Sequence, residues 1–437
     1  MISVGFVSLG CAKNQVDSEL ILGVLQAAGI RIVVNPEEAD AIIINTCGFI
    51  ESARQETVET ILEMKSYGKK LIVAGCYAER YRKELENDMP FVDRIITLKD
   101  YPRIHLILSD VFGDTSLKFL PLSYERRMLV SSSVTPYIKM SEGCDNRCAF
   151  CAIPLIRGSF RSRDYDEIVA ECEQLVRQGA KELNLISQDT TRYGTDLTKD
   201  HSSLLPKLLN RLTEIEGIVW VRMLYLYPDE INEELIETVA KNPKIAPYFD
   251  IPIQHISTPV LKRMLRRKDE AFHRQLFQRI RERIPHAIFR STLITGFPGE
   301  TEEDHQKLVA FLQEAQIDRL GVFPYSKEEG TKAYQYLDEI DPETIQRRHH
   351  ELMSVQKRVA RKLNRSHIGG VYTTIIEAYD PSSKFYYGRS YAFAPDDIDG
   401  QVVFQSTNIL QIGDVVNVKI TDAFGYDLIG DAILQEE

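Results

Sequence analysis

The stretch Ser141-Glu-Gly-Cys-Asp-Asn-Arg-Cys-Ala-Phe-Cys151 places Cys144, Cys148 and Cys151 at a C-x3-C-x2-C spacing. Three thiolates this close on one short loop can bind three irons of a 4Fe–4S cluster. The fourth iron then lacks a protein ligand, because such clusters normally take four cysteines. A zinc site is the alternative, but zinc sites usually close with a fourth Cys or His nearby, and none follows in the next twenty residues. The spacing therefore favours an iron–sulfur cluster with one open iron.

The composition is that of a globular protein. The chain has 437 residues, 43% of them hydrophobic and 27% charged, which fits about two to four domains. No apolar run reaches the roughly 20 residues that span a bilayer, and no basic segment precedes the apolar N-terminus, which argues against a secretion signal. We therefore expect a cytoplasmic protein without membrane contact, whose seven cysteines are metal ligands rather than disulfides.

The N-terminal region alternates apolar runs with stretches of helical spacing. Continuous β-branched runs joined by helices predict a parallel sheet that is covered on both faces. The three runs, each with the helical stretch that follows it, are residues 2–9 with 14–28, 41–45 with 50–65, and 70–75 with 77–87.

One cysteine follows each of these three runs, at Cys11, Cys47 and Cys76. Each lies where a strand ends and the chain turns into a helix, and open parallel sheets bind ligands at that edge. A single cysteine of this kind would be interpreted as a small buried apolar residue. Three at matching positions predict a second three-cysteine cluster.

The central region resumes the alternation after a segment without a clean period. Six strands that each feed a helix predict an open (β/α)6 barrel with functional groups at the carboxyl ends of its strands. The cluster loop follows the first strand, in agreement with that rule. The predicted strands are residues 135–140, 182–187, 219–226, 248–253, 288–295 and 318–324.

The C-terminal region changes to short β runs separated by turn signals. About five strands in a segment this short predict a small antiparallel β-barrel. Residues 370–437 contain 3 Lys or Arg against 11 Asp or Glu, a net charge of 3 − 11 = −8. Phosphate contacts are made by Lys and Arg. We therefore expect this barrel to contact a basic protein and not nucleic acid.

With these three regions in place, the chain resembles the methylthiotransferases of the radical-SAM (S-adenosylmethionine) superfamily. The resemblance rests on the N-terminal cysteine domain, on the cluster loop followed by Ile153-Pro-Leu-Ile-Arg-Gly-Ser-Phe-Arg-Ser-Arg163, and on a terminal barrel of the TRAM type. It covers essentially the whole chain. It implies an α/β protein with a methylthiotransferase domain at 1–112, a linker at 113–133, a radical-SAM core at 134–366 and a TRAM barrel at 367–437.

The family has two main branches, and several short stretches of this sequence are similar to the second branch. One branch modifies an adenosine of transfer RNA, and the other modifies an aspartate of protein twelve of the small ribosomal subunit. The acidic barrel supports the second branch, since ribosomal proteins are basic. The stretches similar to it are Ser8-Leu-Gly-Cys-Ala-Lys-Asn-Gln-Val-Asp-Ser-Glu19, Asn45-Thr-Cys-Gly-Phe-Ile50, Ile186-Ser-Gln-Asp-Thr190, Ile251-Pro-Ile-Gln-His255 and Asp397-Ile-Asp-Gly400.

The resemblance implies insertion of sulfur into an unactivated C–H bond, followed by methylation. Acid–base catalysis by Asp or Glu cannot remove such a hydrogen, so no catalytic acid or base is assigned and the chemistry is left to cofactors. The implied cofactors are two 4Fe–4S clusters and S-adenosyl-L-methionine. The cluster on Cys144, Cys148 and Cys151 cleaves SAM to a 5′-deoxyadenosyl radical, and the cluster on Cys11, Cys47 and Cys76 holds the sulfur. The implied partners are the ribosomal protein, free or in the ribosome, an electron donor and a sulfur source.

Further residues are candidates for SAM binding, each beside a structural alternative. Phe150 shields the cluster or packs near adenine, or else belongs to the core. Arg222 pairs with a carboxylate of SAM or substrate, or else forms a structural ion pair. Gly296 and Gly299 permit a close backbone approach to SAM, or else form only a turn.

Another candidate group ends the second barrel strand. Ser187, Gln188 and Asp189 bind SAM or line the pocket, or else cap a helix. The seventh cysteine, Cys172, lies in an apolar helical pattern and is assigned to core packing.

Two other functions remain open at this point. The first is the transfer-RNA branch, which uses the same chemistry on another substrate. The second is a non-catalytic iron–sulfur protein that transfers electrons or binds ribosomes, and it predicts no cleavage of SAM under strong reductant.

Overall fold

The chain forms two structural units. The structure is a computed structural model that describes residues 2–130, 132–395 and 399–433. The first unit takes the described residues of 1–131 together with Glu142–Arg161 and Ser326–Tyr334. The second takes the rest of the described chain. The loop with the C-x3-C-x2-C spacing therefore belongs to the same unit as Cys11, Cys47 and Cys76.

The first unit is built on a five-stranded parallel sheet in the order β2-β1-β3-β4-β5. The central strand β3 is buried along its whole length, as expected for β-branched residues in a sheet with helices on both faces. The strands are β1 Ser3–Ser8, β2 Arg31–Val33, β3 Ala41–Thr46, β4 Lys70–Gly75 and β5 Arg94–Ile96, and the helices are α1 Ala12–Ala27, α2 Glu51–Lys65, α3 Cys76–Arg80, α4 Arg82–Asp88 and α5 Ile104–Phe112.

Alternate residues of β3 contribute to the apolar cores on the two faces of this sheet. Ile43 packs into one core with Ile72, and Ile42 and Ile44 pack into the other with Val73. The parallel register pairs Ser8 of β1 with Asn45 of β3, and Thr46 of β3 with Gly75 of β4. The carboxyl ends of β1, β3 and β4 are therefore level with one another.

The segment that was predicted as a linker packs along α1 as far as it is described. Arg127 forms a buried ion pair with Glu19 at 3.2 Å, and the Met128 N–H donates to the Glu19 carbonyl at 3.0 Å. Gly23 of α1 lets the chain approach closely, since a Cβ there would lie 2.2 Å from the Arg126 carbonyl oxygen. This stretch thus contributes to the first unit.

The central region contains the six parallel strands that the sequence predicts. They form two three-stranded sheets, β10-β9-β6 and β11-β12-β13. A parallel bridge between Val221 and Ile245 and a hydrogen bond from Leu226 N–H to Asp250 O at 2.8 Å connect the two sheets. With the two-residue β7 and β8, the strands are β6 Tyr137–Lys139, β7 Ser141–Glu142, β8 Arg161–Ser162, β9 Glu182–Ile186, β10 Trp220–Met223, β11 Tyr248–Asp250, β12 Ile288–Thr295 and β13 Arg319–Pro324.

Helices alternate with these strands and bury one face each. For example, Asp164 caps α7 by accepting from the N–H groups of Asp166 and Glu167, and Thr301 with Asp304 forms a capping box at α12. The helices are α6 Ile153–Arg157, α7 Tyr165–Arg177, α8 Leu205–Thr213, α9 Glu233–Lys241, α10 Thr258–Arg263, α11 Glu270–Arg283, α12 Glu302–Ala315 and α13 Pro342–Ser366. No helix among the described residues is long and apolar enough to cross a membrane.

The C-terminal region is a closed barrel in the order β14-β15-β16-β18-β17. The prediction of an antiparallel barrel is wrong for one pair, because β16 and β18 run parallel. Of the turn at 397–400, residues 397 and 398 lie outside the described residues. The strands are β14 Val371–Asp380, β15 Phe385–Arg389, β16 Val402–Gln405, β17 Val415–Phe424 and β18 Asp427–Ile433.

Candidate metal centre

The three cysteines of the N-terminal region lie at one edge of the first sheet. Cys11 is the N-cap of α1, Cys47 directly follows β3, and Cys76 is the first residue of α3. Gly10, with φ of +90°, brings its backbone against the Cys47 side chain, because a Cβ there would lie 3.0 Å from Cys47 Sγ. The loops after neighbouring strands therefore bring these cysteines together. We call Cys11, Cys47 and Cys76 the N-terminal triad.

A second close approach joins the loop of Cys47 to the loop of Cys76. A Cβ on Gly48 would lie 2.8 Å from the Tyr77 Cα atom, so that the residues after Cys47 and Cys76 pack backbone to backbone. The sequence contains a signal for this packing, since a glycine adjoins every cysteine of the triad.

The thiols of the triad are close enough to change one another's ionisation. Burial, against the opposing charge of Arg157 and with the charges of Cys11 and Cys47 in support, raises the pKa of Cys76 to about 12. Burial also raises the pKa of Cys47. At Cys11, desolvation raises the pKa, but the charges of Lys13 and Arg157 together with hydrogen bonds from the backbone of Asn14 and Lys13 outweigh it, so that the pKa is lowered.

An amide network supports the edge of the sheet beneath the triad. Asn14 Nδ2 donates to the Leu9 carbonyl at 2.6 Å and to the Thr46 carbonyl at 3.3 Å. Asn45 Nδ2 donates to the Asn14 carbonyl at 2.9 Å and to Ser18 Oγ at 2.8 Å. These buried hydrogen bonds fix the strand ends that position the cysteines, and sequence reasoning did not identify either asparagine as part of the site.

The loop with Cys144, Cys148 and Cys151, which we call the cluster loop, is closed by backbone hydrogen bonds. The Cys144 N–H donates to the Gly158 carbonyl at 3.1 Å, and the Cys151 N–H donates to the Cys148 carbonyl at 3.1 Å. All three cysteines are partly exposed. Phe150 is also partly exposed, so it is not enclosed in a core.

The cluster loop packs against the N-terminal triad within the first unit. Cys76 shares an apolar cluster with Ala152 and Ile156, which follow the third cysteine of the loop, and Leu98 packs on the same cluster. Cys76 therefore packs against Ala152, the residue that directly follows Cys151 of the cluster loop.

Arg157, the last residue of α6, makes the polar contact between the two groups. Its Nη2 lies 3.2 Å from Cys76 Sγ, and its Nη1 lies 2.9 Å from both Asp17 Oδ2 and Glu142 Oε1. Burial lowers the pKa of Arg157, but the charges of Cys76, Glu142 and Asp17 raise it well above its usual value. A permanent positive charge therefore lies beside the triad.

The segment Ser326–Tyr334 belongs to the first unit and contacts the elements that follow Cys47 and Cys76. Glu328, which is buried, pairs with Arg80 of α3 at 2.9 Å and accepts from the Glu51 N–H at 3.0 Å. Arg80 also donates to the Gly48 carbonyl at 2.9 Å. The ion pair holds this segment against the loops that follow Cys47 and Cys76.

The donors of the two cysteine groups are thiols, the usual ligands of iron–sulfur clusters. Throughout the described residues, no group of three or more His, Cys, Asp and Glu side chains could hold a metal ion. In a 4Fe–4S cluster each cysteine binds a different iron. Each of the two groups offers three thiols, which are the donor type that such a cluster uses.

Ser187, Gln188 and Asp189 lie in the second unit, directly after β9. Ser187 Oγ is 3.1 Å from Thr190 Oγ1, and Asp189 accepts from Thr191 Oγ1 at 2.6 Å. Ser187 and Asp189 are buried and Gln188 is half-buried. The group therefore lies at the carboxyl end of its strand, as predicted, and two of its members bond within the turn.

Arg222 has a full set of protein partners in the second unit. Its Nε donates to Glu182 Oε1 at 2.6 Å, and its Nη1 donates to the Tyr391 carbonyl at 2.8 Å. The guanidinium also lies 4.7 Å from the ring centroid of Tyr248. These contacts favour the structural ion pair, which was the alternative to SAM binding.

Gly296 and Gly299 both have positive φ, at +77° and +81°. A Cβ on Gly296 would lie 2.5 Å from Ile345, and one on Gly299 would lie 2.7 Å from Asp338. The close approach that requires glycine here is to side chains of the protein itself. Cys172 is fully buried in α7, in agreement with its assignment to the core.

Family models match three regions of the chain. The description "Uncharacterized protein family UPF0004" matches residues 3–97, "Radical SAM superfamily" matches residues 138–312, and "TRAM domain" matches residues 368–433.

Full-length relatives share one name. The "Ribosomal protein uS12 methylthiotransferase RimO" of Acetivibrio thermocellus is 44% identical over 98% of this chain and 98% of its own length. The proteins of that name from Aquifex aeolicus and Trichlorobacter lovleyi are each 46% identical and cover 98% of this chain, with 97% and 98% of their own lengths.

Solved structures share the fold at low sequence identity. The radical S-adenosylmethionine methyltransferase TsrM from Kitasatospora setae matches with a TM-score of 0.53 and 15% identity, over 74% of this chain and 75% of its own. The cobalamin-dependent S-adenosylmethionine radical enzyme OxsB matches with a TM-score of 0.51 and 13% identity, over 81% of this chain and 56% of its own.

Proposed function

The chain belongs to the RimO family of ribosomal protein uS12 methylthiotransferases, and on that premise we propose how its two cysteine groups divide the work. The enzyme is a radical-SAM methylthiotransferase, with iron–sulfur clusters and SAM as its cofactors. We assign Cys144, Cys148 and Cys151 to the cluster that binds SAM, and Cys11, Cys47 and Cys76 to the cluster that holds the sulfur. The proposed product is a methylthio group on the β-carbon of an aspartate of uS12.

The observation that supports this division most directly is the packing of the cluster loop on the N-terminal triad. Cys76 shares its apolar surroundings with Ala152 and Ile156, and its thiol lies beside Arg157. Sulfur transfer between two sites needs them to be adjacent, because reacting groups must meet within a few ångströms. A triad far from the cluster loop would have no route for that transfer.

When bound, the cofactors supply one-electron cleavage of SAM and thus a radical strong enough to remove a hydrogen from an unactivated carbon. The residues of the chain bind and orient. The cluster loop offers three partly exposed thiols that would hold the cluster which binds SAM, and the N-terminal triad would hold the other cluster. In sequence, Phe150 lies between Cys148 and Cys151, and we assign it to shielding the cluster. Ser187, Gln188, Asp189, Gly296 and Gly299 remain candidates for contacts with SAM.

The acidic barrel supports a basic protein as the partner. Of the three cations in residues 370–437, Arg389 is buried and pairs with Glu182 and Glu377. Lys384 and Lys419, which are exposed, are therefore the cations left to offset the acidic surface. We infer that the barrel attracts a ribosomal protein, free or in the ribosome. An electron donor and a sulfur source complete the partners, and the substrate places the enzyme in the cytoplasm.

The test is an anaerobic assay with reconstituted protein, SAM, a strong reductant and sulfide. Purified uS12 and transfer RNA are offered in parallel, and mass spectrometry locates any methylthio group. We expect the modification on an aspartate of uS12. A methylthio group on an adenosine of transfer RNA would contradict the substrate, and an absence of SAM cleavage would contradict the radical mechanism.

Matched cysteine variants make this assay specific. Cys148→Ala removes a proposed ligand, whereas Cys172→Ala removes a thiol that is buried in α7. We expect Cys148→Ala to abolish SAM cleavage and Cys172→Ala to retain it. Equal loss in both variants would indicate a general effect on folding and would contradict the assignment of Cys148.

A further inference from the structure

Arg157 has more acceptors than a buried ion pair requires. Its guanidinium is 1% exposed and already meets two carboxylates, those of Asp17 and Glu142. A buried arginine is stabilised when its charge is paired and its N–H groups are satisfied. Elsewhere in the same unit the buried side chain of Arg127 is likewise paired with a carboxylate, that of Glu19. The contact of Arg157 with Cys76 Sγ is therefore additional to what pairing demands.

The geometry of that contact suits a thiolate ligand. Nη2 lies 3.2 Å from the sulfur and 3.4 Å from Asn14 Oδ1, so that it presents its N–H groups to the end of the cysteine side chain. Hydrogen bonds from a cation to an anion are stronger than neutral ones. Partners behind a metal ligand orient it and tune the metal, and hydrogen bonds to sulfur set the potentials of iron–sulfur clusters.

We propose that Arg157 is a positioning residue of the N-terminal triad: it orients Cys76 as a thiolate ligand and raises the reduction potential of the cluster bound there. The inference rests on the proposed function, because it requires a cluster on Cys11, Cys47 and Cys76. Its physical reason is that reduction adds a negative charge, and a buried cation beside a ligand sulfur stabilises that charge. Since Arg157 belongs to α6, the cluster loop contributes to the properties of the other site.

The experiment uses the full chain with Cys144, Cys148 and Cys151 replaced by alanine, so that iron reports on the N-terminal triad alone. This parent protein and its Arg157→Gln derivative are reconstituted anaerobically, and the fraction of reduced cluster is measured by electron paramagnetic resonance at a series of fixed potentials. We expect the ratio of reduced to oxidised cluster to fall about tenfold in Arg157→Gln at a given potential, which corresponds to about 59 mV for one electron.

Arg127→Gln in the same background is the matched control. It also removes a buried arginine from an ion pair of the first unit, and a purely structural effect would appear in both derivatives. We expect Arg127→Gln to keep the potential of the parent. An unchanged potential in Arg157→Gln, or equal shifts in the two derivatives, would overturn the proposal.

Two further outcomes have defined meanings. If Arg157→Gln does not bind iron, iron binding is measured in Arg157→Lys, which restores the positive charge. Recovered iron binding in Arg157→Lys supports the proposal, and a failure to bind iron overturns it. Absence of iron from the parent would contradict the N-terminal cluster itself, and the inference with it. The failure of the proposed function is thus distinguishable from a failure of the role of Arg157.

Discussion

Cys76 and Cys172 are both buried, but they lie in different surroundings. Cys172 lies on the apolar face of α7 with Ile168 and Leu175, as the helical spacing predicted. Cys76 lies beside the Arg157 guanidinium, with Asn14 Oδ1 at 3.9 Å. Burial alone therefore does not distinguish a proposed ligand cysteine from a core cysteine.

The sequence could place the triad but not these neighbours. Cys11, Cys47 and Cys76 follow strands of one parallel sheet, and topology alone brings such positions to one edge. Arg157 is 81 residues from Cys76, and no local pattern encodes a contact of that separation. Arg222 illustrates the same limit, because its partners at Tyr391 and Ser390 belong to another part of the chain.

Residue-scale electrostatics predicts a pH-dependent stability through His273 of α11. Burial and, to a smaller extent, the charge of Arg266 lower its pKa to about 3. Because the folded state resists protonation, the stability from this group is complete above the unfolded pKa of about 6.5. It is lost as the pH falls from there towards about 3. From pH 6.5 to 5.0 the loss amounts to on the order of 2 kcal/mol.

The variant His273→Gln, which does not titrate, tests this. Urea unfolding at pH 6.5 and pH 5.0 should give a smaller loss of unfolding free energy than in the unchanged protein. His350→Gln alters an exposed histidine of α13 and is the control, for which the unchanged protein's loss is expected. Identical losses in all three proteins would show that His273 is protonated freely in the folded state.

At the scale of elements, strands were predicted where they are long and buried. The run at 70–75 coincides with β4, and the run at 288–295 with β12. The three-residue strands β2 and β5 were missed, because so short a strand establishes no period by itself. The equally short β6 and β11 were found because each lies inside a longer predicted run. The predicted helix at 77–87 is interrupted at Tyr81, where φ is −121° and ψ is 35°.

The turn from β1 into α1 gives a prediction about the triad. Gly10→Ala places a methyl group at positive φ, which costs about 1–2 kcal/mol, and within 3.0 Å of Cys47 Sγ. We expect this variant to lose stability and to bind less iron at the N-terminal triad. Iron content after anaerobic reconstitution, together with urea unfolding of the apoprotein, measures both effects.

Gly29→Ala is a suitable control for that variant. Gly29 has φ of +79°, and a Cβ there would meet nothing within 4 Å. It should therefore suffer the backbone cost of about 1–2 kcal/mol and keep its iron. If Gly10→Ala also keeps all its iron, the close packing of the first two loops is not required for the cluster.

At the scale of the whole molecule, charge is unevenly distributed. Residues 1–112 have 12 Lys or Arg against 16 Asp or Glu, a net charge of −4, whereas 370–437 have a net charge of −8. Fields of this kind accelerate the association of oppositely charged partners and select against partners of like charge. The family assignment was within reach of the sequence because its cysteine spacings, its barrel pattern and this charge agree.

Neutralising exposed acids of the barrel should weaken binding of uS12. Asp422 on β17 and Asp431 on β18 are both exposed, and the double variant Asp422→Asn/Asp431→Asn should bind about two- to fivefold more weakly at low salt. The difference should shrink as ionic strength rises. Binding is measured by titration of labelled uS12 across a salt series.

The matched control neutralises two exposed acids of α2, Glu59 and Glu63, in the first unit. Glu59→Gln/Glu63→Gln changes the net charge of the protein by the same amount. We expect uS12 binding to be nearly unaffected in this variant. Equal weakening in the two double variants would assign the attraction to net charge and not to the barrel.

The most direct test of the account is an iron and sulfide count after anaerobic reconstitution of the full chain. Two clusters predict about eight irons per chain, and about four in a variant with Cys11, Cys47 and Cys76 replaced by alanine. The variant with Cys144, Cys148 and Cys151 replaced should likewise retain about four. A count of about four in the unchanged protein, insensitive to loss of the N-terminal triad, would contradict the two-cluster site.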